Sequence, residues 1–377
     1  MTSQDRLSWL LAGAGAAGLV AAAVASPADA AAAAAQDWSP FVLVTGLLLI
    51  GLVANDDGLF AAAGYQLARV ARSGAGLFAG AAVMVGLATA TLNLDTSVAF
   101  LTPVLVYTAR SRGGGEAPLL YGCLLLSNAG SLFLVGSNLT NLIVLGHLHL
   151  SGAEFLARMW APALAALVVT AVVVAAFEHR ELRVSAGDLE PPQQPVIGVG
   201  LIAVVLATVL VVTLRSPAVP VAIAGAAVAG FRLVRGKIEV RKVAAVVDVP
   251  ALAGLFGVAV ALGTLGRLWS GPAVLLSHLD LWGTAAVAAA SSVLVNNLPA
   301  ASLLAARTPG HPFALLIGLN LGPNLFVTGS LAWLLWLRAA RDTGAEPSVA
   351  KASRIGAVAV PLSMAAALTV LALTGSS

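Results

Sequence analysis

Apolar runs long enough to cross a bilayer fill most of this chain, at about 7–25, 39–56, 118–138, 156–177, 196–214, 218–234, 249–266, 313–337 and 355–374. A helix of ~20 apolar residues spans the ~30 Å hydrocarbon core. In lipid, only helices and closed barrels satisfy every backbone N–H and C=O. Runs of this length therefore predict an all-α, polytopic membrane protein. Charge content agrees: 10% of the 377 residues are charged and 59% are hydrophobic, against ~25% charged in soluble domains. The net charge of +3 is too small to suggest nucleic acid, and the bases lie between the apolar runs, as topology determinants do. The single cysteine, Cys123, excludes an intramolecular disulfide and a Cys-cluster metal site. No cofactor or metal is expected. Residues 7–25 read as a retained first helix, although small residues at 25–30 also fit a signal-cleavage step.

Two further apolar segments, 75–108 and 282–306, contain polar breaks. The first reads Leu92-Asn93-Leu94-Asp95-Thr96-Ser97, the second Asn296-Asn297-Leu298-Pro299. An Asp at membrane depth costs roughly 2.5–3.5 kcal/mol on insertion scales, and that cost is usually met where the residue faces a packed interior or a watery path. Neither break is flanked by a hydrophilic loop. Each is therefore expected to be a turn at membrane depth, giving two re-entrant helical hairpins with tips at 93–96 and 296–299.

The basic residues set the expected topology. With the N-terminus inside, nine spans and two re-entrant hairpins, 16 of the 20 Lys and Arg residues fall inside; only Arg158, Arg215, Arg267 and Arg307 fall outside. The two hairpins then enter from opposite sides. That is the pattern of an inverted repeat, in which a substrate site sits where the repeats meet. The sequence repeats as well. Asn128-Ala129-Gly130, Leu132-Phe133 and Gly136-Ser137 recur in order as Asn320-Leu321-Gly322, Leu325-Phe326 and Gly329-Ser330. Gly, Ser, Asn and Pro interrupt both stretches, so each is expected to be a broken helix. One transporter domain is expected over 1–377, with repeats at 39–177 and 249–374 and connecting spans and loops at 178–248. The loop 178–195 and an amphipathic surface helix over 235–248 offer no chemistry. His147 and His149 read as a solvated loop, since no third metal ligand lies near them.

From about Trp38 to Thr374 the chain resembles the arsenite/antimonite efflux permeases, the arsenical-pump membrane proteins of the ion-transporter superfamily. The stretches 127–145 and 320–337 carry most of the likeness, with Leu321-Gly322-Pro323 and 328–336 the most specific. Asn296-Asn297-Leu298-Pro299 is similar to that family's Asn-Asn-Met-Pro, and Asp95 matches the Asp of its Asn-Asp-Gly hairpin, which reads Leu94-Asp95-Thr96 here. The resemblance implies an inner-membrane secondary transporter that exports arsenite or antimonite, with protons as the coupling ion. It also implies a homodimer and a soluble ATPase as candidate partners. The alternatives are a sodium/proton antiporter or a dicarboxylate-type anion permease of the same superfamily.

Arsenite and antimonite are neutral trihydroxides at pH 7, which call for hydrogen-bond donors and acceptors. The breaks supply Asn93, Thr96, Ser137, Asn138, Asn141, Asn296, Asn297, Asn320, Thr328, Gly329 and Ser330 as candidate substrate-binding residues. One cysteine cannot make a trithiolate site. A dicarboxylate would prefer Arg or Lys, and neither hairpin tip nor broken helix holds one, although half-helix N-termini can also hold an anion. Asp95 is the candidate proton carrier, because a carboxyl at this depth can load and release a proton within a cycle. Asp56 and Asp57 stand at a span end, where capping explains them equally well. An enzyme reading finds no His-Glu-x-x-His and no second Asp in the other hairpin to pair with Asp95.

Overall fold

The computed structural model describes residues 3–146, 148, 150–183 and 198–375. His147, His149 and the 184–197 part of the loop lie outside the described residues.

The first helix, α1 (Ser3–Ala25), is followed by α2 (Pro27–Asp56), which starts earlier than the sequence run at 39 because the alanines at 30–35 are strong helix formers. The amphipathic α3 (Leu59–Val70) leads into a hairpin of α4 (Gly74–Thr91) and α5 (Leu94–Ser111). Next come α6 (Ala117–Gly130), an irregular break with one 3-10 turn at Val135–Ser137, α7 (Leu139–Leu145) and the long α8 (Gly152–Phe177). Two connecting helices follow, α9 (Val199–Thr213) and α10 (Ala218–Val234).

The order then repeats. A bent pair, α11 (Val240–Val247) and α12 (Val249–Leu268), stands for α2, and the short α13 (Gly271–Ser277) for α3. The second hairpin is α14 (Leu281–Val295) with α15 (Asn297–Leu304). The second broken helix is α16 (Pro312–Leu321), a 3-10 turn at Gly322–Leu325 and α17 (Ala332–Asp342), and α18 (Val349–Leu373) closes the unit. Among the described residues six helical segments are long and apolar enough to cross a membrane: Ser8–Ala25, Pro27–Asp56, Gly74–Thr91, Gly152–Phe177, Val240–Leu268 and Val349–Leu373. The expected inverted architecture, a hairpin and a broken helix in each half, is the fold observed.

Packing follows the repeat. α8 lies along α18, α4 along α6, α14 along α16, and α17 against α5 as α15 is against α7. The scaffold exchanges partners: α1 packs on α12 and α10 on α2. Glycines allow these close crossings. A Cβ at Gly15 would collide with the backbone of Gly254, and one at Gly46 with the backbone of Ala222. Tertiary pairing of this kind suits a bilayer, where association depends on close van der Waals approach.

At the far end of α2 the acidic pair is tied to α10. Arg232 Nη2 lies 2.9 Å from Asp56 Oδ2 and 2.6 Å from Asp57 Oδ1, and Gly200 N donates to Asp57 Oδ2 at 2.7 Å. The Asp57 side chain is only 2% exposed. Removing one partner of a buried pair leaves an uncompensated charge and costs roughly 3–5 kcal/mol. Arg232→Ala is therefore expected to destabilise the folded chain by about 3 kcal/mol. Thermal melting in detergent checks this, and an unchanged midpoint would show the pair to be idle.

Candidate functional site

Both hairpin tips turn on an asparagine. Asn93 Oδ1 accepts from Thr96 N at 2.7 Å and so caps α5. Asn296 sits at φ 77, ψ 148, a positive-φ backbone that residues with a Cβ seldom adopt. Its Oδ1 accepts from Leu298 N at 3.3 Å, and its Nδ2 donates to the Thr328 carbonyl at 3.2 Å. Asn297 N donates to the Gly329 carbonyl at 2.9 Å. The second tip is thus bound to the second helix break.

The broken helices are joined across the repeats by amides. Asn320, fully buried, sits at the centre. Its Oδ1 accepts from Ser131 Oγ (2.7 Å) and Asn138 Nδ2 (2.6 Å), and its Nδ2 donates to Asn141 Oδ1 (2.8 Å) and the Leu316 carbonyl (2.9 Å). Asn141 Nδ2 donates to the Ser131 carbonyl (2.7 Å), beyond the end of α6, and to the Leu134 carbonyl (3.2 Å), which also accepts from Ser137 N in the 3-10 turn. Asn128 Nδ2 donates to Asn324 Oδ1 at 2.8 Å, and Asn324 Nδ2 to the Leu125 carbonyl at 3.0 Å. Two fully buried tryptophans brace the second break: Trp333 Nε1 donates to the Pro323 carbonyl (2.7 Å) and Trp336 Nε1 to the Leu120 carbonyl (2.8 Å).

In front of this network lies a cavity of about 510 Å³. Its polar lining is Asp95, Asn138, Asn296, Asn297, Thr328 and Ser330, set among Leu94, Leu139, Leu255, Val258, Leu298, Pro299, Val327, Leu331 and Leu334. Among the described residues no Lys or Arg lines it. The N-terminal residues of three half-helices, Leu94 of α5, Leu139 of α7 and Asn297 of α15, face it, with Leu331, the residue before α17. Four helix N-termini therefore converge on one chamber, and their N–H groups and dipoles favour negative charge or acceptor-rich groups there. Among the described residues no cation forms an ion pair with Asp95. Ser330 Oγ is buried without a hydrogen-bond partner. A second cavity of about 560 Å³ shares Asp95, Leu139, Leu255, Leu331 and Leu334 with the first and extends to Asp248, Arg338, Arg341 and Asp342. The chamber thus opens toward the end of the molecule that carries those charges.

The polar residues of the breaks divide into two groups. Asp95, Asn138, Asn296, Asn297, Thr328 and Ser330 line the chamber. The others stand behind it. Asn93 caps a helix, and Thr96 packs its methyl against Gly51 of α2. Ser137 Oγ donates to the Ala90 carbonyl at 3.1 Å, while Asn141 and Asn320 hold the breaks. Gly329 lies against the Pro323 backbone, with no room for a Cβ. One carboxylate escapes the sequence reading: Asp37, 2% exposed, buried beside Gln36 in α2 and close to Arg267. It lies just before the apolar run at 39–56, on the part of α2 that precedes that run. The unbroken alanine helix before it was the signal.

The family description "CitMHS: Citrate transporter" matches residues 2–339. The chain belongs to the CitMHS family. Relatives of this CitMHS member include the arsenical pump membrane protein of Escherichia coli, 25% identical over 336 residues, covering 80% of this chain and 78% of that one. Another is the inner membrane protein YbiR of Escherichia coli strain K12, 26% identical and covering 82% of each chain. Among solved structures, the Alcanivorax borkumensis YdaH transporter superposes with a TM-score of 0.54 at 15% identity, covering 88% of this chain and 84% of that one, and so shares the fold. The likeness to arsenical-pump membrane proteins read from residues 127–145 and 320–337 is borne out. The chain is a multi-pass inner-membrane transporter of this kind.

Proposed function

We propose that this transporter exports arsenite or antimonite in exchange for protons, with Asp95 as the proton carrier. The observation that carries the reading is the chemistry of the chamber lining. It holds amides, hydroxyls and helix N–H groups around one carboxyl, with no Lys or Arg among the described residues. A neutral trihydroxide offers three hydroxyls that both donate and accept, which matches Asn138, Asn296, Asn297, Thr328 and Ser330. When Asp95 is ionised both its oxygens accept from substrate hydroxyls in charge-assisted bonds; when protonated, one oxygen becomes a donor and the charge that strengthened those bonds is gone. Proton and substrate therefore compete for the site, which is the requirement for exchange. The repeats at 39–177 and 249–374 meet at this chamber, and the positive-inside threading makes Arg338 and Arg341 cytoplasmic. The chamber is then open to the cytoplasm, ready to load a substrate for export.

The convergence of helix N-termini favours a second reading, an organic-anion permease, since such termini can hold a carboxylate without Lys or Arg. One comparison separates the two. In a host lacking its own arsenite exporter, expression of the chain is expected to raise arsenite tolerance and lower cell arsenic. If tolerance is unchanged while the membranes carry citrate or a dicarboxylate, the anion reading replaces the first.

A further inference from the structure

The two ends of the transport path are built from equivalent segments held in different conformations. Gln36 stands 20 residues before the end of α2, and Asp248 stands 20 residues before the end of α12. At the first of these positions the helix runs straight through and the end is clasped shut. Gln36 Nε2 donates to the Ile143 (3.1 Å) and Ala305 (3.3 Å) carbonyls, at the C-terminal ends of α7 and α15. Arg267 Nη2 donates to Gln36 Oε1 at 2.6 Å, and Arg267 Nη1 to the Gly263 carbonyl at 2.9 Å. Scaffold helices α2 and α12 are thereby tied to both half-helices of the site.

At the second position the helix is broken. Asp248 lies at φ 42, ψ 61, a left-handed conformation that residues with a Cβ seldom adopt. It separates α11 from α12, caps α12 by accepting from Ala251 N (3.3 Å), and accepts from Ser8 Oγ (2.6 Å). Where the clasp would lie by symmetry there is the open 560 Å³ cavity, with Ala245 and Asp248 on one wall and Arg338 and Arg341 on the other. Arg338 and Asp342 are largely exposed and only 3.8 Å apart at closest.

We propose that Asp248 is the hinge of a gate over this mouth. α11 swings about it until α11 and α12 run on as α2 does. The carboxylate of Asp248 then leaves Ser8 for Arg338 and Arg341 across the mouth, and the Gln36 clasp at the opposite end lets go. Two inverted repeats that exchange conformations in this way open one end as they close the other. The left-handed backbone at Asp248 is relieved in the closed form, so the hinge itself biases the equilibrium. The proposal concerns motion and holds for whichever substrate the chamber takes.

The test is crosslinking between Ala245→Cys and Asp342→Cys by a short bismaleimide in native membranes. Cys123 stays in place, since it is buried, and single-cysteine proteins serve as controls. Crosslinked product is expected in the otherwise native chain. Its yield is expected to rise at least twofold with Gln36→Ala, which loosens the opposite clasp. The yield is expected to fall at least twofold with Asp248→Gly, which accepts the left-handed backbone freely and gives up the carboxylate. Yields are compared only between proteins that elute as single species in detergent, so misfolding is separated from gating. Absence of product in the native background overturns the proposal, as does a yield that either variant fails to move in its expected direction.

Discussion

Asp95→Asn is expected to abolish proton-driven accumulation of substrate in everted membrane vesicles while leaving exchange of substrate for substrate intact. The amide keeps the size of the carboxyl and can still accept a hydrogen bond, but it cannot bind and release a proton. One proton moving through 100 mV supplies about 2.3 kcal/mol, enough for roughly a 50-fold concentration ratio at about 1.4 kcal/mol per tenfold. Without the titrating group that ratio collapses toward unity. If Asp95 were only a cap for α5, Asn would replace it at little cost, and accumulation would persist. The structure weakens that role in advance, because Asn93 Oδ1 already caps α5 through Thr96 N, while Asp95 faces the chamber. Normal accumulation by Asp95→Asn at equal membrane abundance would remove the residue from the coupling step.

The second large effect concerns stability. Asn320→Leu is expected to cost on the order of 3–5 kcal/mol, at ~1–3 kcal/mol for each buried partner left unsatisfied. The groups left without a partner are Asn138 Nδ2 and Asn141 Oδ1, both on buried residues, while Ser131 Oγ keeps its bond to the Asn128 carbonyl and the Leu316 carbonyl keeps its helical N–H. That loss is a large part of a typical stability of ~5–15 kcal/mol, so little folded protein should be recovered from membranes. Recovery by size exclusion and the midpoint of thermal melting measure it. Wild-type recovery and melting for Asn320→Leu would mean the network is slack. A variant facing the chamber, Thr328→Val, should lower transport with much less effect on melting. Thr328 Oγ1 reaches only the Val293 carbonyl (2.6 Å), and the residue is exposed to the cavity.

The contrast between Asn320 and Asn138 shows what sequence could and could not convey. Polar residues inside apolar runs marked both hairpins and both broken helices, because a polar residue at membrane depth demands a turn or a cavity. The direction an amide faces is another matter. Asn138 and Asn320 both belong to a break. Asn138 lines the chamber and also donates to Asn320, which is sealed behind it. A break in a helix strands carbonyls as well as making room for substrate, and asparagine serves both needs equally well. Only three-dimensional placement separates Asn141, spent on the Ser131 and Leu134 carbonyls, from Asn296 at the chamber wall.

Other features escaped for a different reason. Asp37 lies at the edge of its apolar run, so it reads as interfacial, yet α2 continues past it and carries it inside the bundle. Asp248 reads as one acid in a polar connector, and its left-handed backbone is invisible without coordinates. The pairing of Asp56 and Asp57 with Arg232 joins residues almost half the chain apart. Hydropathy carries no information about contacts at that separation.

Exchange of a neutral metalloid hydroxide for a proton at Asp95 is measured by recording both fluxes at once. Purified protein in liposomes with an acidic lumen, or everted vesicles energised to the same state, would receive arsenite outside while luminal pH and luminal arsenic are followed together. Arsenite entry is expected to be coupled to luminal alkalinisation at a fixed ratio. Both signals should vanish when an uncoupler removes the gradient beforehand, and proton-driven accumulation should vanish in Asp95→Asn. Arsenite accumulation with no change in luminal pH, or luminal alkalinisation evoked by citrate but not by arsenite, would contradict it.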